Sequence, residues 1–259
     1  MPANWRSSPI IASAAYVGVT AVWGYTFLVV KDAIAHIAVM DFLAWRFIVA
    51  SIVMIVLRPS CLRNVTHLEI LRGIGLGTVL GLAYIIQTYG LRYTSAATSG
   101  FITGMFVVLT PVMSWILLRR KTNRNTWMIV ALATVGLALL SLNGWSIGIG
   151  ELLTLVCAIF FAVHIVGLGE WSSEYKPYSF ALLQIATVAV ISLIAATHKG
   201  ITVPSNPEVW KAVMITGILA TAVAFFVQTW VQSLISPTRT AVIMTLEPVF
   251  AGLFAIVIG

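Results

Sequence analysis

The stretch QTYGLRYTSAATSG, Gln87–Gly100, and the stretch QTWVQSLISPTRTA, Gln228–Ala241, decide the fold. Each closes an apolar run and leads through a short polar turn into another apolar run that carries a proline. They lie 228 − 87 = 141 residues apart. At that offset Gln87 meets Gln228, Thr88 meets Thr229, Tyr89 meets Trp230 and Ser95 meets Ser236. Upstream, Ala83 meets Ala224, Tyr84 meets Phe225 and Ile74 meets Ile215. Downstream the register slips, and Pro111 meets Pro248 only at an offset of 137. The first copy thus carries four extra residues, about one helical turn. An earlier match, AVWGYT from Ala21 against AIFFAV from Ala158, also falls at 137.

The composition says where such runs reside. Of 259 residues, 60% are hydrophobic and 9% charged, against about 25% charged in a soluble domain. That surface suits lipid and not water. The net charge of +7 does not point to nucleic acid. The basic residues sit in short gaps between apolar runs and form no solvated patch. Cys61 and Cys157 are isolated in sequence, which suggests neither a disulfide framework nor a metal site.

Each crossing needs about 20 apolar residues. Candidate spans fall at 9–30, 40–57, 70–91, 96–118, 126–142, 150–169, 179–197, 209–233 and 237–259, which makes nine. They lack strand alternation and are read as helices. The first continues through Val30 and is read as an uncleaved span, not a signal peptide. Arg58 and Arg63 follow the second span; Arg119, Arg120, Lys121 and Arg124 follow the fourth; the gap NGWSIGIG after the fifth is uncharged. Basic gaps face the cytoplasm, so the N-terminus is expected inside. The second half is balanced, with Lys176 on one side and Lys199 on the other.

The repeat unit has five spans. Five is odd, so the second copy enters the membrane from the opposite face. Inverted repeats are a mark of secondary transporters, in which equivalent halves exchange roles as a midplane site opens to one side and then the other. The expected fold is an all-α polytopic membrane protein with repeats at 1–142 and 150–259. Gln87, near the outer end of the third span, and Gln228, near the inner end of the eighth, are candidate paired gates.

Several stretches carry a resemblance: AVWGYTFLVVK (Ala21–Lys31), FLAWRF (Phe42–Phe47), TSAATSGFITGMFVVLTPVMSWILLRR (Thr94–Arg120), GELLTLVCAIFFAVH (Gly150–His164) and TAVIMTLEPVFAGLFA (Thr240–Ala255). In this order they resemble the drug/metabolite transporter superfamily, in its EamA-like branch, over essentially the whole chain. The resemblance implies ten helices in two inverted five-helix halves around a central cavity. It also implies export or exchange of small metabolites, often amino acids. Against that pattern the chain stops at Gly259, at the end of the ninth run, and a tenth helix is expected to be missing.

The candidate site residues follow from cost. A charge inside a bilayer costs on the order of 3 kcal/mol on insertion scales, and is a functional candidate by default. Arg46 is such a charge, with snorkelling to the interface as the alternative. Glu247 precedes Pro248. It could couple transport to protons, or the pair could serve as a kink device like Pro111 in the first copy, where Thr110 stands in place of Glu247. His164 lies deep in the sixth span and is the side chain that titrates near neutral pH. Gln184 matches Arg46 at an offset of 138. Trp23, Tyr25, Tyr84 and Phe160 could form an aromatic cavity wall suited to apolar or aromatic amino acids or to organic cations, or could be ordinary packing. Gly73, Gly77 and Gly81 form a ridge for close helix approach.

The four histidines are scattered, with no His-Glu-x-x-His or Gly-x-Ser-x-Gly pattern, so no enzyme and no cofactor is expected. A channel would need a filter motif or charge ring. A non-transporting scaffold or receptor is the other alternative. The expected partners are the lipid bilayer and a small-molecule substrate, with no nucleic acid. The expected location is the inner or plasma membrane.

Overall fold

The apolar runs become helices, and polar residues mark where they start. A computed structural model describes residues 8–119, 148–198 and 200–258, with isolated residues at 124, 127, 128, 131, 132 and 135. The helices are α1 (Pro9–Ala33), α2 (Val39–Leu57), α3 (His67–Tyr93), α4 (Ala96–Thr103), α5 (Phe106–Leu118), α6 (Ile149–Trp171) and α7 (Pro177–Thr197). Then come α8 (Pro207–Met214), a π-helical segment (Ile215–Val223), α9 (Ala224–Gln232), α10 (Pro237–Met244) and α11 (Leu246–Val257). Among the described residues these make eight membrane-length apolar spans, because α4–α5, α8–α9 and α10–α11 each run on as one. The chain is a multi-pass helical membrane protein. The expected fifth span, 126–142, and Lys199 lie outside the described residues apart from the isolated positions named.

The caps repeat along with the sequence. The Ser95 hydroxyl accepts from Thr98 N at 3.0 Å, and the Ser236 hydroxyl accepts from Arg239 N at 3.4 Å. Such caps satisfy backbone donors that the first turn leaves free. Helices α4 and α10 are each eight residues long and start 237 − 96 = 141 residues apart. Both then break, at Gly104–Met105 and at Thr245. The repeat register therefore holds through the break, and the four-residue slip falls between the break and the proline. Pro111 lies in the interior of α5. Pro248 is instead the third residue of α11, where its missing N–H would have no partner anyway. The expected kink at Pro248 is a helix start, and the break precedes it.

The two copies interlock. α3 packs along α6 and α7, α2 packs along α7, and α4–α5 pack on α6. The π-helical segment and α9 pack on α1, the π-helical segment packs on α2, and α11 packs on α1. Exchanging spans one to four for spans six to nine maps this set onto itself. The five-residue connections 34–38 and 172–176 have the same turn conformation, 172 − 34 = 138 residues apart.

Close contacts fix helix directions. Gly90 faces Gly150 and Thr154, while Gly167 faces Leu76, so α3 and α6 are antiparallel. Gly73 faces Leu183, and Gly77 faces Gln184 and Thr187, so α3 and α7 are parallel. Lys31, near the end of α1, donates to the carbonyls of Leu91 and Thr94 at the end of α3, both at 2.7 Å. α1 thus ends at the face where α6 begins, and the second copy enters from the opposite face. The repeats are inverted.

Candidate functional site

Arg46, Gln87, His164, Gln228 and Glu247 converge on one cavity between the copies. Its wall includes Trp23, Thr26 and Phe27 from α1, Arg46 from α2, and Tyr84, Gln87 and Thr88 from α3. Thr103 and Phe106 come from the broken fourth span. The second copy contributes Phe161, His164 and Ile165 from α6, Phe225 and Gln228 from α9, and Met244 and Glu247 from the broken last span.

Most of the wall is built from pairs. In the first span of each repeat the offset is 138: Trp23 with Phe161, Thr26 with His164, and Phe27 with Ile165. In the third and fourth spans it is 141: Tyr84 with Phe225, Gln87 with Gln228, Thr103 with Met244, and Phe106 with Glu247. The match of AVWGYT to AIFFAV at 137 was one residue out of register. That slip, about 100° on a helix, sets Phe160 and not Phe161 opposite Trp23. Phe160 is not among the wall residues. Tyr25 also leaves the wall; its ring packs edge-on to Phe254 at 5.4 Å between centroids. The counterpart of Glu247 in the wall is Phe106, not Thr110, whose hydroxyl donates to the Phe106 carbonyl within its own helix.

The aromatic pairs Trp23–Phe161 and Tyr84–Phe225 and the pair Phe27–Ile165 stay apolar in both copies, and the charged positions do not repeat. Arg46 comes only from the first copy, and Glu247 and His164 only from the second. Arg46 is 3% exposed. Its Nε donates to Thr221 Oγ1 at 2.9 Å. Its guanidinium carbon lies 4.8 Å from the Tyr84 ring centroid and 5.4 Å from that of Phe47, within cation–π range. Gln184, its expected counterpart, is not in the wall. It sits behind His164, with Oε1 2.8 Å from the histidine Nε2, and its Nε2 donates to the Phe180 carbonyl at 2.8 Å. Gln184 therefore orients His164. Glu247 is 5% exposed and lies in the first turn of α11, where the helix dipole favours negative charge.

Both candidate gate glutamines reach the same cavity. Gln87 Nε2 donates to Thr103 Oγ1 at 3.2 Å, while Gln228 Oε1 is buried without a partner. A feature that periodicity does not reveal is the π-helical segment. Its Ala220 carbonyl accepts from Trp23 Nε1 at 2.8 Å. Its Thr221 hydroxyl donates to Thr216 O at 2.8 Å and accepts from Arg46. Segments of this kind often mark functional sites. One feature of the sequence bears on it: Thr216, Gly217, Ala220 and Thr221 are small enough for α2 to approach, and a Cβ at Gly217 would fall 2.9 Å from the Arg46 carbonyl.

Comparison with known proteins agrees with this architecture. The family model described as "EamA-like transporter family" matches residues 10–142 and again residues 148–259. A protein of Archaeoglobus fulgidus named "Uncharacterized transporter" is 34% identical over 244 residues, covering 93% of this chain and 75% of its own length. The "Uncharacterized transporter YoaV" of Bacillus subtilis is 23% identical, covering 92% of this chain and 85% of its own. A solved structure described as "Crystal structure of protein" shares the fold with a TM-score of 0.72 at 18% identity, over 95% of this chain and 87% of that one. With two matches to one family model, one in each inverted copy, this chain belongs to the EamA-like transporter family.

Proposed function

We propose that the chain is a secondary carrier of small metabolites, with amino acids the leading class, working as an exporter or exchanger. Its repeats, 1–142 and 150–259, rock about the shared cavity, and Gln87 and Gln228 act as paired gate residues at its two mouths. The observation that carries this reading is the pairing of wall positions between inverted copies, since two equivalent half-walls can exchange roles around a fixed site. Glu247 and His164 bring a carboxyl and an imidazole to the wall, and any coupling to protons is assigned to them. The basic gaps support a cytoplasmic N-terminus, and the inner or plasma membrane is the assigned location.

Counterflow in proteoliposomes tests the reading. Vesicles loaded with an amino-acid mixture are expected to accumulate at least one labelled tracer, and the matching unlabelled compound should abolish that accumulation. An imposed pH gradient is expected to change the rate, and Glu247→Gln with His164→Asn to remove that response. A channel or scaffold would show no saturable counterflow. If rates ignore the gradient in all forms, the proton assignment fails while the carrier stands.

A further inference from the structure

An arginine and a glutamate line the cavity, Arg46 and Glu247, and neither has an ion-pair partner among the described residues. Arg46 Nη2 is buried with no hydrogen-bond partner. Its Nε bond to Thr221 and its position over Tyr84 fix the guanidinium plane, so the free edge has a set direction. The Glu247 carboxylate has no hydrogen-bond partner among the described residues. The two do not pair with each other, whereas Arg72 pairs with Glu174 and Lys211 with Glu208. An uncompensated buried charge is costly in protein and more so in lipid. Arg46 and Glu247 belong to different copies, in α2 and α11, with aromatic rings of Trp23, Tyr84 and Phe225 in the wall they share.

Resting on the carrier reading above, we infer that Arg46 and Glu247 are the two ends of an oriented zwitterion site, with a substrate carboxylate on the Arg46 edge and its ammonium at Glu247. A planar guanidinium suits a carboxylate, which it can grip through two parallel bonds. The aromatic wall takes the apolar part of the ligand. Because one charge comes from each copy, the ligand bridges the two bodies that move, and a compound with only one charge engages only one of them. The broken symmetry of the wall has a purpose in this arrangement. Two identical copies would present two arginines or two glutamates and would repel one end of a zwitterion.

The test is binding to the purified full-length chain in nanodiscs, read by tryptophan fluorescence and melting temperature. The probes are L-leucine with 4-methylpentanoate and 3-methylbutylamine, and L-phenylalanine with 3-phenylpropanoate and 2-phenylethylamine. In at least one set the amino acid is expected to bind about tenfold or more tightly than either singly charged relative. Arg46→Gln should drop the amino acid to the level of the amine and leave the amine unchanged. Glu247→Gln should drop it to the level of the acid and leave the acid unchanged. Arg46→Lys should retain the preference in part, which separates loss of charge from loss of fold. The inference is overturned if no set prefers the zwitterion, if the preference survives Arg46→Gln, or if Arg46→Lys loses all binding together with Arg46→Gln. Counterflow of a singly charged compound would sink this inference and leave the carrier standing. Zwitterion binding without counterflow of any compound would do the reverse.

Discussion

Gly73, Gly77 and Gly81 look alike in sequence, but the space around them differs. A Cβ at Gly77 would fall 2.6 Å from Thr187 Cβ and 2.7 Å from the Gln184 carbonyl. Neither neighbour is the end of a flexible chain, so α3 and α7 would have to separate. At Gly81 the nearest atom is 3.5 Å away, and at Gly75 nothing lies within 4 Å. Gly77→Ala is therefore expected to destabilise the protein by about 1–3 kcal/mol, as overpacking does, and to disturb Gln184, the partner of His164. Gly75→Ala should be neutral or slightly stabilising. Melting temperatures of the two variants in one detergent check this, and equal values would discard the close-packing argument. At this scale the sequence was legible where chemistry is costly. Arg46, His164 and Glu247 stand out because charge and polarity are rare in lipid, and all three line the cavity. Aromatic residues carry no such mark, since Tyr25 and Phe160 serve packing as readily as a wall, and one residue separates Phe160 from Phe161, the ring that lines the cavity.

The informative elements are those that depart from a regular helix. Apolar length locates a span to within a few residues, as the expected 96–118 and the observed α4–α5 show. Length does not show that this span breaks at Gly104–Met105, or that the eighth carries a nine-residue π-helical segment. Those features arise from tertiary contacts that no single span encodes. The π-helical segment holds both Trp23 and Arg46 through hydrogen bonds. Thr221 is its pivot, because one hydroxyl both fixes the segment and orients the guanidinium. Thr221→Ala should leave Arg46 Nε without its partner, and a buried donor left unsatisfied costs about 1–3 kcal/mol. The half-saturating substrate concentration in counterflow is then expected to rise about tenfold or more, with Thr221→Ser close to wild type. Equal behaviour of the two variants would mean that the hydroxyl does not orient Arg46.

Polar contacts at the two faces of the whole molecule tie the interlocked copies together. Where α3 begins, Arg72 donates to Glu174 at 2.5 Å and to Tyr175 at 2.7 Å, and Ser179 donates to Glu69 at 2.7 Å. Where α3 ends, Thr94 donates to Glu151 at 2.5 Å, and Lys31 holds the last carbonyls of α3. Arg72, Ser179 and Glu151 each take part in a bond between α3 or its C-cap and the second copy, with one such set at each end of the helix, while Lys31 ties the last carbonyls to α1. If the copies rock, the two sets must loosen in turn, and weakening one favours the form open at that end. The size of such a shift is set by the difference in contact energy between the forms. Arg72 and Glu174 are partly solvated, so several-fold is the reasonable scale and a large swing is not expected. In a background with Cys61 and Cys157 replaced by Ala, a Thr26→Cys reporter places a thiol in the cavity wall. Arg72→Gln should raise its labelling by a membrane-impermeant maleimide from the face where α3 begins, and lower it from the other. Glu151→Gln should do the opposite. A rise from both faces with either variant would mean general loosening. No change with either would mean that the contacts merely hold the fold and do not set the balance between its two openings.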